Sequence, residues 1–341
     1  MARPASWIAT RPAADLAELA EVLDRRWGVV GVLSDLPSER DRNILVRPAD
    51  GSPSLVLKIA NLAEHPAFLA CQTAAMVRLA DAGLPVQRVL PARDGQSIVA
   101  LGEPGPPLAR LLTFLEGRPL ASVGIAAPQL LDELGRMMGL AATALLDFDD
   151  PAAWRDLQWD VQRAEAVIAG GLREVIDPVR RALLQRALAG IRERLVPLLP
   201  GLRTSVIHND ANDHNVLVDV RGESVVGLLD FGDMVHSVTA HEAAVASTYA
   251  TFGQLRPLAV LARVVAAFDR ACPLTDLELR AMPDLVLARL GASVAISAHQ
   301  ARLDPDPYLR ISEAPAWDLL QRLEAEPVGS VRAAIAEAVG R

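Results

Sequence analysis

The sequence predicts an α+β protein, with a small antiparallel β-sheet and one helix followed by a larger, mainly helical part. Three observations carry this. Short apolar runs bounded by turn residues fill roughly the first 112 residues. The stretch "APQLLDELGRMMGLAATALLDF" (127–148) is a long amphipathic helix. From Ala240 to the end the pattern is again mostly helical.

The elements follow in order. "WGVVGVLSDL" (27–36) reads as a strand, and "SERD" (38–41) as a turn. "NILVRPADGSPSLVLKIAN" (43–61) reads as two strands joined at Asp50-Gly51, a strong hairpin signal. "HPAFLACQTAAMVRLADAG" (65–83) has helical spacing and ends on Gly83, a C-cap residue. "SIVALGE" (97–103) and "ARLLTFLEG" (109–117) read as two more strands. Helical patterns then run to about residue 200, and a strand pair extends from "TSVIHND" to "VGLLDFGDM". The expected division is a β-rich domain over 1–112, a connector at 113–117 and a helical domain over 118–341.

The composition narrows the function. The formal net charge is −8, which argues against a nucleic-acid or anionic-membrane partner, since both call for a basic patch. A nucleotide needs only a local positive site and stays open. Cys71 and Cys272 make no metal spacing and read as reduced core residues of a cytoplasmic protein. The first residues, "MARPASWIATRPAADL", contain no apolar signal-peptide core. The apolar runs near the end are broken by Arg263 and Arg289, short of the ~20 apolar residues of a membrane span. The composition leaves the oligomeric state open.

One residue stands out. Lys58 is the only lysine, beside 33 arginines. It sits in the apolar strand "SLVLKIAN", where it shares a face with Val56 while Leu57 and Ile59 face the other way. A buried ammonium must be paired or face a cleft, and a compact charge on a flexible stem suits a phosphate oxygen. The alternative is a lysine snorkelling from an edge strand to water.

Two further stretches complete a constellation. "VIHNDANDHNVLVDV" (206–220) holds His208, Asp210 and Asn215. Asp210 is able to accept a proton from a hydroxyl, and the Asn215 side-chain oxygen suits Mg²⁺, which takes oxygen ligands and few protein groups. "VVGLLDFGDMVH" (225–236) delivers Asp230 at a strand end before Phe231 and Gly232, a second oxygen ligand for Mg²⁺.

A strand lysine, His-x-Asp with four residues before Asn, and Asp-Phe-Gly after a strand together resemble the protein-kinase signature set. "HNDANDHNVLV" and "GLLDFGDM" are more similar to the aminoglycoside phosphotransferase and choline kinase superfamily. Within it, "SERDRNILVR", "LTFLEG" and "DFGDM" look most similar to hydroxylysine kinases and to the phosphotransferase domains fused to class III aminotransferases. The resemblance runs from about Leu33 to about Leu323. It implies a bilobal protein-kinase-like fold with the connector as hinge. Lys58 would hold the nucleotide phosphates, Asp210 would be the catalytic base, and Asn215 and Asp230 would hold Mg²⁺. Thr113, Phe114 and Leu115 would meet the purine through their backbone, with Val56, Val46 and Leu33 covering the base.

The chain departs from the pattern twice. Its phosphate loop, "SDLPSERDRN" (34–43), has no glycine, so Ser38 and backbone N–H groups would take that role. The helix offers Gln72 where kinases carry a glutamate, with Glu64 only at its start, so Lys58 would bond to Gln72 or be neutralised by Asp230. His208 reads as a brace for its loop or as a proton carrier. Asp213 and His214 lack the ligand spacing of a metal hydrolase. His236, His241 and Glu242 read as a structural helix start, and Trp154, Trp159 and Trp317 as core or pocket wall. Asp233, Arg289, Ser297 and Tyr308 are the candidates for contact with the acceptor.

The expected activity is transfer of the γ-phosphoryl group of Mg-ATP or Mg-GTP to a hydroxyl of a small molecule. The resemblance implies an amino alcohol or a hydroxylated amino acid such as hydroxylysine. The alternatives are an aminoglycoside, choline or homoserine kinase, a nucleotide-binding module without turnover, and a metal-dependent phosphohydrolase.

Overall fold

The computed structural model describes residues 12–38, 40–102, 105–303, 311–327 and 329–341. The chain divides into two compact units, one of Met1–Asp81 with Pro85–Leu115, the other of Ala82–Leu84 with Glu116–Arg341.

The first unit is built on a six-stranded antiparallel sheet. Helix α1 (Leu16–Trp27) precedes it, capped by the Asp15 carboxylate on the Ala17 N–H and closed by Gly28 in the left-handed region. The sequence reading gave this unit one helix, so α1 is an addition. Its Leu19 and Leu23, one turn apart, bury against Ile44, Val46, Leu57 and Ile59. Strands β1 (Gly31–Leu36), β2 (Arg42–Pro48) and β3 (Leu55–Ile59) form a meander, with Asp50-Gly51 in the second loop as expected. Helix α2 (Pro66–Asp81) follows and ends ahead of Gly83, whose φ is +81°. Strands β4 (Val89–Leu90), β5 (Val99–Gly102) and β6 (Gly105–Thr113) complete the sheet in the order β1-β2-β3-β6-β4, with β5 also on β6.

Register decides which residues share a face. Lys58 lies opposite Asn43 and Arg110, and Val56 opposite Leu45 and Leu112. Leu57 and Ile59 turn to the other face, onto α1, as alternation requires. Val46 pairs with Leu55 and Leu33 pairs with Val46, so both lie on the α1 face. The expectation that Val46 and Leu33 cover a base beside Val56 is therefore corrected by one residue of register. Leu45, not Val46, shares the face of Val56 and Lys58.

The second unit is mostly helical. Two-residue β7 (Arg118–Pro119) leads into α3 (Pro128–Leu145), inside the predicted 127–148. Then come α4 (Ala164–Gly171) and α5 (Pro178–Gly190), which runs into a π-turn over Ile191–Leu195. Four short strands follow, β8 (Thr204–Ile207), β9 (Val216–Val218), β10 (Val225–Leu228) and β11 (Val235–Val238). The unit ends with α6 (His241–Ala250), α7 (Pro257–Ala271), α8 (Asp276–Leu303), α9 (Glu313–Ala325) and α10 (Ser330–Val339). Helix α8 is long and apolar enough to cross a membrane by length and composition, but 83% of its apolar window is buried inside the protein.

The sequence reading treats 204–234 as one strand pair. The structure nests two pairs instead, β9 with β10 and, outside them, β8 with β11, and adds β7 beside β9. Pairing Ile207 with Val235 sets the chain after β8 beside the chain after β10. That nesting positions the site.

Candidate active site

The predicted residues fall into two groups, one in each unit. In the second unit the loop after β8 carries His208, Asn209 and Asp210. His208 is fully buried. Its Nε2 meets the Leu229 carbonyl at 3.0 Å, its Nδ1 accepts the Asp210 N–H at 3.2 Å, and its ring stands edge-on to Phe231. With Nε2 donating and Nδ1 accepting, the imidazole is neutral and both nitrogens are engaged by backbone. The ring braces the two loops.

Asn209 has φ +66°, a left-handed conformation that costs a non-glycine residue energy and persists only where its surroundings impose it. Glu242 Oε2 accepts the N–H groups of His208 and Asn209 at 2.6 and 3.2 Å. The Asn209 amide donates to the carbonyls of Asp233 and Trp159 at 3.2 and 3.4 Å. Burial pushes the Glu242 carboxyl up to about 7 against the pull of those two N–H groups.

Asp210 comes next, turned by this strained residue. Its Oδ1 accepts from Asn212 at 2.9 Å and from Arg289 at 3.0 Å, and its Oδ2 accepts from Asn215 Nδ2 at 2.6 Å. Burial and the nearby Asp233 carboxylate push it up to about 8, with Asp230 adding to the rise and Arg289 and Asn212 opposing it. Asn215 also donates to the Asp210 carbonyl at 3.0 Å, which leaves its Oδ1 as the atom to offer a cation.

In the loop after β10, Asp230 is the second non-glycine residue with positive φ, +58°, and its Oδ1 accepts the Gly232 N–H at 3.0 Å. The Gly232 carbonyl accepts from Arg155 at 3.3 Å. Asp233 is buried, with its carbonyl tied to Asn209. Three aspartate carboxylates (Asp210, Asp230 and Asp233), an amide oxygen and a guanidinium thus gather where the two loops with positive φ meet. An amide oxygen and a carboxylate form the oxygen donor set that Mg²⁺ accepts. Among the described residues no group of three or more His, Cys, Asp and Glu is placed to hold a metal ion.

The remaining predictions sort by burial. Arg289 is 3% exposed and sits on Asp210 rather than at a surface. His241 is buried with Nδ1 unpartnered, and burial together with Arg289 pushes it down to about 3, so it stays neutral. His236 stacks on Trp154 at 3.7 Å, and Ser297 is buried in α8. Trp317 is buried in α9 under Arg180. Tyr308 lies outside the described residues.

In the first unit Lys58 is 8% exposed, which removes the snorkelling alternative. Its Nζ pairs with Asp41 Oδ2 at 3.2 Å. Asp41 Oδ1 accepts the Asn61 N–H at 2.9 Å, and Ser38 Oγ donates to the Asp41 carbonyl at 2.5 Å. The acid that meets Lys58 within this unit therefore comes from the loop between β1 and β2. Gln72 is turned elsewhere: its Oε1 accepts from buried Arg110 at 2.6 Å, and Arg110 also donates to the Leu69 carbonyl. The expected Gln72–Lys58 bond is replaced by these two. Glu64 accepts from its neighbour His65. Thr113 N–H donates to Arg88, Thr113 C=O accepts from Gln87, and Phe114 N–H donates to Ser54.

Against known sequences, residues 33–282 match a family described as phosphotransferase enzyme family. The chain belongs to that family. A hydroxylysine kinase from Danio rerio is 30% identical over 330 residues, with 92% of each chain covered. Among solved structures, a microcompartment-associated aminopropanol kinase superposes with TM-score 0.66 at 19% identity, covering 91% of this chain and 98% of that one. An amicoumacin kinase in complex with AMP-PNP, Ca²⁺ and Ami superposes with TM-score 0.65 at 14% identity, covering 91% and 94%. The fold is that of the kinase-like phosphotransferases, and the protein is a small-molecule kinase.

Within the family reading, sequence reasoning missed four groups: Asp41, Arg110, the anchoring role of Glu242, and the contact of Arg289 with Asp210. Asp41 was visible as an acid inside the loop over 34–43. Glu242 and Arg289 lie 32 and 79 residues from Asp210 along the chain, and no spacing rule links them to it.

Proposed function

We propose that the protein transfers the γ-phosphoryl group of a nucleoside triphosphate, ATP or GTP, to the hydroxyl of a small hydroxylated amine, a hydroxylysine-like amino acid or an amino alcohol. The observation that carries the reading is the Asp210 carboxylate, fixed through both oxygens by Asn215, Asn212 and Arg289 on a turn held in a strained conformation. The hydroxylysine kinase relative and the aminopropanol kinase fold neighbour support the acceptor class. The acidic surroundings of Asp210 also favour a cationic acceptor.

In this reading the acceptor O–H gives its proton to Asp210. The oxygen forms the new bond to γ-phosphorus, and the bond to the β–γ bridging oxygen breaks with its electron pair leaving on the nucleoside diphosphate. Arg289, Asn212 and Asn215 hold the carboxylate in one orientation to receive that proton. Lys58 holds phosphate oxygens, and Asp41 fixes it beforehand. Asn215 and Asp230 hold Mg²⁺, which when bound supplies positive charge against the phosphate oxygens. Catalysis is mainly positioning and electrostatics.

The test is nucleoside diphosphate release with Mg²⁺ and ATP or GTP. The acceptor panel holds hydroxylysine, ethanolamine, 1-amino-2-propanol, choline, homoserine and an aminoglycoside, with Asp210→Asn as control. Release that depends on one hydroxylated amine and is lost in Asp210→Asn supports the proposal. Turnover on none of them with nucleotide still bound points instead to a module without transfer activity.

A further inference from the structure

We propose that Arg289 is the positioning residue of this site, with one buried guanidinium holding the Asn209 carbonyl and an Asp210 carboxylate oxygen at once. The inference rests on the reading of Asp210 as the base. It reassigns Arg289 from acceptor binding to alignment of the catalytic turn.

Each nitrogen of the guanidinium has a partner, through three of its five N–H bonds. Nη2 donates to Asp210 Oδ1 at 3.0 Å, Nη1 to the Asn209 carbonyl at 3.3 Å, and Nε to the Tyr249 hydroxyl at 3.2 Å. Its carbon lies 4.4 Å from the Trp159 ring centroid and 5.2 Å from that of Tyr249. Tyr249 is bonded in turn to Ser293, one turn along α8 from Arg289. The clamp is therefore closed by side chains from three parts of the second unit: Trp159, α6 and α8.

A planar fork suits the two targets, the backbone carbonyl of one residue and the side-chain carboxylate of the next. An ammonium on a flexible stem meets one of them, whereas a guanidinium meets both in a fixed geometry. Asn209 is also the residue with φ +66°, so Arg289 and Glu242 grip the strained peptide from its C=O and N–H sides respectively. Asp210 Oδ2 is set by Asn215 and Oδ1 by Arg289 and Asn212, which fixes the plane of the carboxylate. At 3% exposure, Arg289 is turned into the protein and onto these partners.

Arg289→Met, Arg289→Lys and Arg289→Ala test this. Removing the fork should lower kcat about 100-fold in Arg289→Met while KM for nucleotide and acceptor each change less than about 3-fold, the signature of lost alignment. Arg289→Lys should recover only part of kcat. Guanidinium added to Arg289→Ala should restore turnover in a saturable way. A variant that stays folded with unchanged kcat overturns the proposal, as does a rise in acceptor KM alone, which marks a substrate-binding arginine. A second measurement needs no turnover. Unfolding midpoints of the wild type, Arg289→Met, Asp210→Asn and the double variant should be non-additive by roughly 1–4 °C, as expected for a direct pair. Additive shifts overturn the proposal. If the wild type phosphorylates no acceptor, the function reading fails, and the cycle still decides the pair.

Discussion

Replacing Glu242 separates a buried charge from a buried hydrogen-bond acceptor. Its Oε2 takes the N–H groups of His208 and Asn209, and its Oε1 is buried without a partner. Glu242→Ala leaves two buried N–H groups unsatisfied, at about 1–3 kcal/mol each, so the variant should lose roughly 2–6 kcal/mol. For 341 residues at ~2.1 cal/mol/K per residue, that is a fall in unfolding midpoint of roughly 3–8 °C. Glu242→Gln keeps an acceptor oxygen and removes the desolvated charge, so its midpoint at pH 7.5 should lie within about 2 °C of wild type. The pH profile follows from the same geometry. The folded carboxyl is raised to about 7, above its unfolded value, so between about pH 4.5 and 7 the folded state holds the proton and the unfolded state does not. This group's contribution therefore falls as pH rises through that window, by at most about 3 kcal/mol at 1.36 kcal/mol per unit. Midpoints by differential scanning calorimetry at pH 5, 6, 7 and 8 measure it. The fall should be steeper in wild type than in Glu242→Gln. Equal losses in the Ala and Gln variants, or identical pH slopes in wild type and Glu242→Gln, refute the assignment of Glu242 as the charged anchor of the turn.

Other outcomes follow from particular contacts. Lys58→Met removes a charge-assisted phosphate bond of about 1.5–3 kcal/mol, so nucleotide affinity by titration calorimetry should weaken roughly 10- to 150-fold; unchanged affinity would remove Lys58 from the phosphate site. Gly31→Ala places a Cβ 2.2 Å from the Arg47 carbonyl oxygen, so the paired backbone must shift, and the unfolding midpoint should drop by several degrees.

The legible part of this chain is what local spacing encodes. His208, Asp210 and Asn215 lie within eight positions of one another and act on the same turn, and Asp230 closes the strand that pairs with the one after Asn215. The loop ends, the hairpin at Asp50-Gly51 and the helix ending before Gly83 were legible for the same reason, since each depends on a few neighbouring residues. Register was not. Placing Val46 on the face of Val56 needed only a one-residue error, because pairing, and not the strand's own sequence, decides which residues lie opposite. Helix α1 was not legible although Asp15 and Gly28 bracket it, because it buries only Leu19 and Leu23 and its apolar stripe is correspondingly thin.

Partners of charge were the least legible. A lysine in a strand and a glutamine on a helix invite the inference that they meet, and each found another partner. Arg110 lies directly across from Lys58 on β6, on the same face, so the side chain of Gln72 had two cations to choose between. It is bonded to the arginine, whose fork also reaches the Leu69 carbonyl on the same helix. Lys58 is met by Asp41, which its own loop fixes through the Asn61 N–H. The acid that meets Lys58 sits in the loop between β1 and β2 and not on the helix. A consequence separates Asp41 from a helix acid. Asp41→Asn should change nucleotide affinity in step with the order of the loop, and Gln72→Glu should add a negative charge beside Arg110 without replacing Asp41. Gln72→Glu that rescues nucleotide binding in Asp41→Asn would show that the helix position still reaches Lys58, and the assignment of Asp41 as the partner of Lys58 would be wrong.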